Sequence, residues 1–297
     1  MPASSFDQAS AQAATLVDRV LHDVLKVPEG PEGRVVEAMR YAILGGGKRF
    51  RAFLCCEAAQ LFNIPPEQAA RAAAAIECVH SYSLVHDDLP CMDDDDLRRG
   101  KPSLHRAFDE ATALLAGDAL LTLAFEILAD EQTHHRKAVR LDLIAALGKA
   151  AGSRGMVAGQ MFDLMSPDME LDAGGLTRLQ KLKTGALISF AVEAGALLAM
   201  ADNDARTALG GYAHDIGLAF QIADDLLDVE ASSDDIGKTA GKDALVGKVT
   251  FVSLLGIERA REQARVLVDQ AIGHLACFGD EADPLRDAAK FVISRDK

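Results

Sequence analysis

Apolar residues recur every three or four positions through most of the chain, and Gly, Pro or acidic residues punctuate the gaps. That is the period of a helix burying one face. Residues 8–25 open the series with Ala14, Val17, Leu21 and Val24 near one face. Residues 34–44 follow with Val35, Ala38, Met39 and Ala42. VPEGPEG between them, residues 27–33, reads as a loop. Gly45-Gly46-Gly47 stops the second helix, and KRFRAFLCCEAAQLF, residues 48–62, reads as a third with basic groups in its first turns. Those charges oppose the helix dipole, and an anion bound there would relieve the cost.

The next helix starts at NIPPE, residues 63–67, and is almost wholly apolar over residues 72–85. Pro90 must end or distort it. Gly100 and Pro102 mark a loop. Further helices are expected over residues 108–129, 137–151, 154–164, 176–200, 205–230, 249–275 and 283–293. The clearest surface loop is residues 166–175, and a long polar one spans residues 231–251. Gly117 costs its helix about 1 kcal/mol relative to alanine unless a neighbour must approach closely, and Gly185 marks a kink or a similar contact. Gln160 and Asp163 are polar groups in an apolar setting. No stretch alternates with the period of a strand. An all-α chain is expected, as one domain over residues 1–297.

Composition narrows the function. A single core can reach about this length, 297 residues. Apolar residues make up 49%, and a net charge of -14 argues against a protein that grips a nucleic-acid backbone. An acidic chain still binds a polyanion if metal and a few placed Lys and Arg invert the local field. The five cysteines fit no zinc spacing and read as reduced, mostly buried thiols of a cytoplasmic protein. The N-terminal residues lack a signal-peptide pattern. No charge-free apolar run reaches about 18 residues, so no membrane span is expected.

Two acidic clusters end apolar helices. The first, HSYSLVHDDLPCMDDDDLRRG at residues 80–100, holds six aspartates behind the apolar run. Carboxylates beside a core need a counter-charge. With only Arg98 and Arg99 near in sequence, a hard divalent cation is the simplest one, magnesium above all. Asp87 and Asp93 are six apart and would face differently on an unbroken helix, but a bulge over residues 89–92 would reunite them. The second cluster is DDLLD. Asp224 and Asp228 share a helix face at i,i+4, with Gln221 one turn earlier. Together the clusters suggest carboxylates facing across a cavity with metal ions between, and a multiply charged anion such as diphosphate as the partner. Arg98, Lys183, Lys238 and Lys248 would hold it too. Lys48, Arg51 and Arg99 form a candidate second anion site without metal, which His80 could join.

Plainer readings stand beside these: solvated acidic surfaces, a surface salt-bridge network and a structural histidine. Two further alternatives are a noncatalytic metal binder and a di-iron bundle built on the pairs Glu77/His80 and Glu131/His134.

The chain resembles the short-chain prenyl diphosphate synthases, and among them the bacterial farnesyl diphosphate synthases. The matching pieces are GGGKRFRAFL, ECVHSYSLVHDDLPCMDDDDLRRGKPSLH, LLAGDALLTLAFEIL, GMVAGQMFDL, LQKLKTGALI, AFQIADDLLDVE, DIGKTAGKDALVGKVTFVSLLG and FVISRDK, in family order across nearly the whole chain. Lys101, in place of an uncharged loop residue, is a peripheral departure. The resemblance implies an all-α fold with a large central cavity, a homodimer, magnesium, and head-to-tail condensation of isopentenyl diphosphate with dimethylallyl and then geranyl diphosphate. It implies Asp87, Asp93 and Asp224 as principal metal ligands, supported by Asp88 and Asp228. Arg98, Lys183 and Lys238 would hold the allylic diphosphate, and Lys48, Arg51, His80 and Arg99 the isopentenyl diphosphate. Thr184 and Gln221 would line the reacting centre, and Lys248 would assist closure. An aromatic at Tyr82, together with the two extra residues in the first aspartate motif, goes in the family with a C15 product, and Ser83 beside it is small and leaves room for geranyl.

Overall fold

The computed structural model describes residues 5–230 and 249–294. Among the described residues, apart from one two-residue β ladder, the regular structure is helical, as the periodicity predicts. The chain divides into two compact units.

The first unit comprises residues 7–144 and 197–200. It contains most of α1 (Ser5–Val24), then α2 (Gly33–Ile43), α3 (Phe50–Gln60) and α4 (Pro66–Asp87). A short hairpin follows, β1 (Leu97–Arg98) and β2 (Lys101–Pro102), then α5 (Leu104–Ala107), α6 (Glu110–Ala129) and the start of α7 (Lys137–Ala151). α4 is the core of this unit. Ala72 to Val79 is buried continuously, so its sequence shows a run rather than a stripe. α4 packs on α3 and α6, and small residues let them come close. The His86 ring sits where a Cβ on Gly117 would be, 2.1 Å from its Nε2, which explains the glycine. By length and composition α6 is apolar enough to cross a membrane. Here its buried face, including Ala113, Ala116, Leu120 and Leu128, packs within the unit against α2 and α4.

The second unit comprises residues 1–6, 145–196 and 201–297, as far as they are described. It holds α8 (Met156–Met165), α9 (Ala173–Gln180), a π-helical turn over Lys181–Gly185 and most of α10 (Ala186–Leu198). Then come α11 (Asn203–Glu230), α12 (Phe251–Leu255), α13 (Ile257–His274) and α14 (Asp283–Ser294). α11 is its spine and packs on α13 and α14. Tyr212 is fully buried there, and its hydroxyl donates to the Leu285 carbonyl at 2.8 Å.

Several sequence boundaries shift. The helix expected over residues 249–275 is two, broken at Gly256, whose φ of +79° leaves the helical region. The surface loop at residues 166–175 contains a 3₁₀ turn and a buried Ser166, and Asp172 caps α9 by accepting the Gly175 N–H. The loop at Gly100 and Pro102 is the hairpin, with Arg99 and Gly100 at positive φ, as a two-residue turn between twisted strands requires. All five cysteines are free, but Cys91 and Cys277 are exposed and Cys56 is only half-buried, so the expectation of mostly buried thiols holds for Cys55 and Cys78.

Candidate active site

In the first unit, α4 ends where Pro90 requires, and the chain then folds back on itself. The Asp93 N–H donates to the Asp87 carbonyl at 2.8 Å, and the Asp94 N–H to the Leu89 carbonyl at 3.2 Å. Asp94 takes φ +48° to close the turn. The break supplies what a bulge was expected to supply: Asp87 and Asp93, six residues apart, share one turn.

Asp88 goes elsewhere. It is only 2% exposed, and Arg98 grips both its oxygens, from Nε at 3.0 and 3.2 Å and again from Nη2. Burial pushes the Asp88 carboxyl upward against the opposing pull of Arg98. Asp88 thus acts on Arg98 directly, and as a supporting metal ligand it would have to share oxygens with a guanidinium. The hairpin turn sends the two arginines apart. Arg98 points to Asp88, while Arg99 donates to the Gly46 carbonyl and packs on Gly47, where a Cβ would meet its Nη1 at 2.5 Å.

The basic motif begins later than expected. α3 starts at Phe50, so Lys48 lies in the exposed loop before it and only Arg51 stands in its first turn. An anion does serve that helix end, and it is internal: Glu77 Oε1 accepts the Ala52 N–H at 3.2 Å. His80 lies one turn beyond Glu77 and is half-buried. Burial, with Arg51, Arg99, Arg49 and Arg98 nearby, holds its imidazole well below the ordinary histidine value. The folded ring therefore stays neutral, while an unfolded chain takes up a proton as pH falls through about 6.5. Stability is complete above that pH and declines below it, toward the depressed folded value. Urea midpoints should fall between pH 7 and 5, and His80→Gln should flatten that slope; an unchanged slope would remove His80 from the account.

Tyr82 is buried five residues before Asp87 and packs edge-on against His86, with ring centroids 5.7 Å apart. Burial first, then Asp87, raises its phenol above the usual range. Ser83 is half-buried and donates to the His80 carbonyl at 2.9 Å.

In the second unit, the π-helical turn positions two side chains. Such turns often sit at functional sites, because the extra residue re-aims the helix face. Lys183 reaches Asp163 of α8 at 2.6 Å, and the Thr184 hydroxyl donates to Gln221 Oε1 at 3.0 Å. Gly159 makes this possible, since a Cβ there would stand 2.1 Å from the Lys183 nitrogen and 2.4 Å from its Cα. Backbone cannot give way as a flexible side chain can. Gly159→Ala should therefore cost about 3 kcal/mol or more and shift Lys183 off Asp163, seen as a lower melting temperature with reduced turnover below it.

One turn after Gln221 on α11, Asp224 and Asp228 are both half-buried on one face. Asp225 is buried and accepts the Phe251 N–H at 2.8 Å, so it anchors the start of α12. Lys238 and Lys248 lie outside the described residues.

Among the described residues, no three His, Cys, Asp or Glu side chains form a group fit to hold a metal by themselves. The oxygen donors present suit a hard cation that takes one or two carboxylates from protein and the rest from phosphate and water. The di-iron alternative fails on geometry. Both Glu77 oxygens are engaged, by Arg49 at 3.1 Å and by Ala52, and His134 Nδ1 accepts the Arg136 N–H.

Known proteins decide the family. The polyprenyl synthetase family model matches residues 32–283. The chain belongs to that family. It is 45% identical to the farnesyl diphosphate synthase of Escherichia coli, over 89% of this chain and 90% of that one. It is 44% identical to geranylgeranyl pyrophosphate synthase 11 (chloroplastic) of Arabidopsis thaliana, over 88% of this chain and 74% of that one. A solved structure of an FPP/GFPP synthase from Zymomonas mobilis, in its apo state, superposes with a TM-score of 0.89 at 52% identity, covering 97% and 98% of the two chains. Membership bears out both the all-α expectation and the resemblance to bacterial synthases.

Two positioning residues of this family member escaped sequence reasoning. Asp163 stood out as an acid in an apolar helix, but its partner lies twenty residues on. Asp225 sits inside DDLLD, where the i,i+4 spacing singles out Asp224 and Asp228 and gives Asp225 no role.

Proposed function

We propose that this prenyltransferase condenses isopentenyl diphosphate head to tail with dimethylallyl and then geranyl diphosphate, releasing farnesyl diphosphate and pyrophosphate. Asp87, Asp93 and Asp224 are the principal metal ligands, with Asp228 supporting them. Magnesium, when bound, stabilises the charge that develops on the departing pyrophosphate. Arg98, Lys183 and Lys238 hold the allylic diphosphate. In this reading Asp88 keeps Arg98 in place, as Asp163 does Lys183. Lys48, Arg51, His80 and Arg99 hold the isopentenyl diphosphate, the neutral His80 serving as a hydrogen-bond donor. Thr184 and Gln221, already bonded to each other, line the reacting centre, and Lys248 assists closure. The chain acts as a homodimer and a single functional domain.

The observation that carries the C15 assignment is Tyr82. It lies about 7.5 Å before Asp87 along α4, at 1.5 Å per residue. Its ring is braced by His86, which is itself seated at Gly117. A tail growing along that helix would meet a rigid floor. The test is chromatography of products from radiolabelled isopentenyl diphosphate in excess over dimethylallyl diphosphate. Farnesyl diphosphate should dominate. Products that stop at C10 or run on to C20 would overturn the assignment, and a structural metal binder would make none. The 44% identity to a geranylgeranyl pyrophosphate synthase favours C20 as the second reading.

A further inference from the structure

Arg49 belongs to the basic run KRFR, yet it turns away from its neighbours. It is 5% exposed and donates to Glu77 Oε2 at 3.1 Å, Asp18 Oδ1 at 2.8 Å and the Ile43 carbonyl at 2.6 Å. Glu77, 3% exposed, gives its other oxygen to the Ala52 N–H. The backbone between α2 and α3 is unusual. Gly46 and Gly47 have φ of +104° and +131°, and Arg49, which is not glycine, has +48°. A left-handed residue with a side chain costs roughly 1 kcal/mol or more and persists only where its surroundings hold it. Here the bonds of Arg49 hold residue 49 against the end of α2, against α1 and against α4. Lys48 is exposed immediately before this pin, and Arg51 stands two residues after it.

We propose that the buried Arg49–Glu77 pair is a positioning device for the cationic site, fixing the left-handed turn and the first turn of α3 so that Lys48 and Arg51 stand in register with His80. This rests on the reading that Lys48, Arg51, His80 and Arg99 take isopentenyl diphosphate. The pair itself touches no substrate. Two observations favour positioning over stability. Buried ion pairs add little net stability compared with a well-packed apolar pair. And both ends of this one act on backbone: Arg49 on the Ile43 carbonyl and its own strained turn, Glu77 on the Ala52 N–H. Glu77 also places a negative charge beside Arg49 and near Arg99, which limits cationic repulsion when no ligand is bound.

The test is steady-state kinetics with each substrate varied in turn, on the whole enzyme, alongside thermal melts. The double variant Arg49→Met/Glu77→Leu removes both charges together, so neither is left buried and unpaired, and it should fold. Its KM for isopentenyl diphosphate should rise about tenfold or more, as small misplacements of binding groups commonly cost that much. Its KM for the allylic substrate and its kcat at saturation should stay near wild type. Glu77→Gln keeps an acceptor for the Ala52 N–H and should fall between, and it carries the test if the double variant does not fold. An unchanged KM for isopentenyl diphosphate overturns the proposal. So does a rise in both KM values in step with a lost melting temperature, which is what a merely structural pair would give. Lys48→Ala keeps the two readings apart. If it leaves the isopentenyl KM unchanged, the underlying site assignment falls; if it raises that KM while the pair variants do not, only the positioning role falls.

Discussion

Asp87→Ala and Asp224→Ala should each lower kcat by about 10²- to 10³-fold, with no loss of melting temperature. Removing one group that stabilises a developing anion typically costs two to three decades, and each decade is about 1.4 kcal/mol of barrier. The fold should survive for reasons visible at each site. Asp87 contributes its backbone carbonyl to the turn, accepting the Asp93 N–H, and alanine retains that carbonyl. Asp224 lies within α11, where alanine is the best helix former and where Asp228, at i,i+4, is a like charge on the same face. Melting temperature should therefore hold or rise slightly as activity collapses. The double variant is the more informative measurement. If the two acids act on the same leaving group, removing both costs little more than removing one, because residues that work as a unit are non-additive. If they act independently, the losses multiply. Multiplying losses would sink the claim that one pyrophosphate is served by both motifs.

Much of this arrangement could be read from residues alone, for identifiable reasons. Helix periodicity is local, so most helices appeared within a few residues of their observed ends. The end of α4 was legible because Pro90 forbids continuation. The fate of adjacent like residues was not. Asp87 and Asp88 look equivalent in sequence, yet one is half-buried on the turn and the other is buried against Arg98. Lys48 and Arg49 look equivalent, yet one is exposed and the other is buried with Glu77 and Asp18. The hairpin decides the first case and the left-handed turn at Arg49 the second, and both depend on partners distant in sequence. Gly256 likewise falls inside the helix expected over residues 249–275, but its positive φ ends α12 and starts α13.

Tyr82→Ala should lengthen the dominant product beyond C15, with chain length read by chromatography after dephosphorylation. If the ring is the floor, deleting it opens the space a longer tail needs. The cost to the fold is that of truncating a buried aromatic, about 3–5 kcal/mol when the site stays empty. It should be smaller here if the vacated space joins a substrate channel rather than a sealed core. Tyr82→Phe separates the causes, since it keeps the ring and its edge contact with His86 and removes only the hydroxyl; its product should remain C15. Were both variants to shift length, the hydroxyl would be the determinant rather than the ring's bulk. Were neither to do so, the floor would lie elsewhere on the chain. A change confined to the alanine variant, without loss of isopentenyl diphosphate affinity, would place length control on the Tyr82 face of α4. Anion capture would remain with His80, two residues earlier, and the two properties of one helix could then be altered independently.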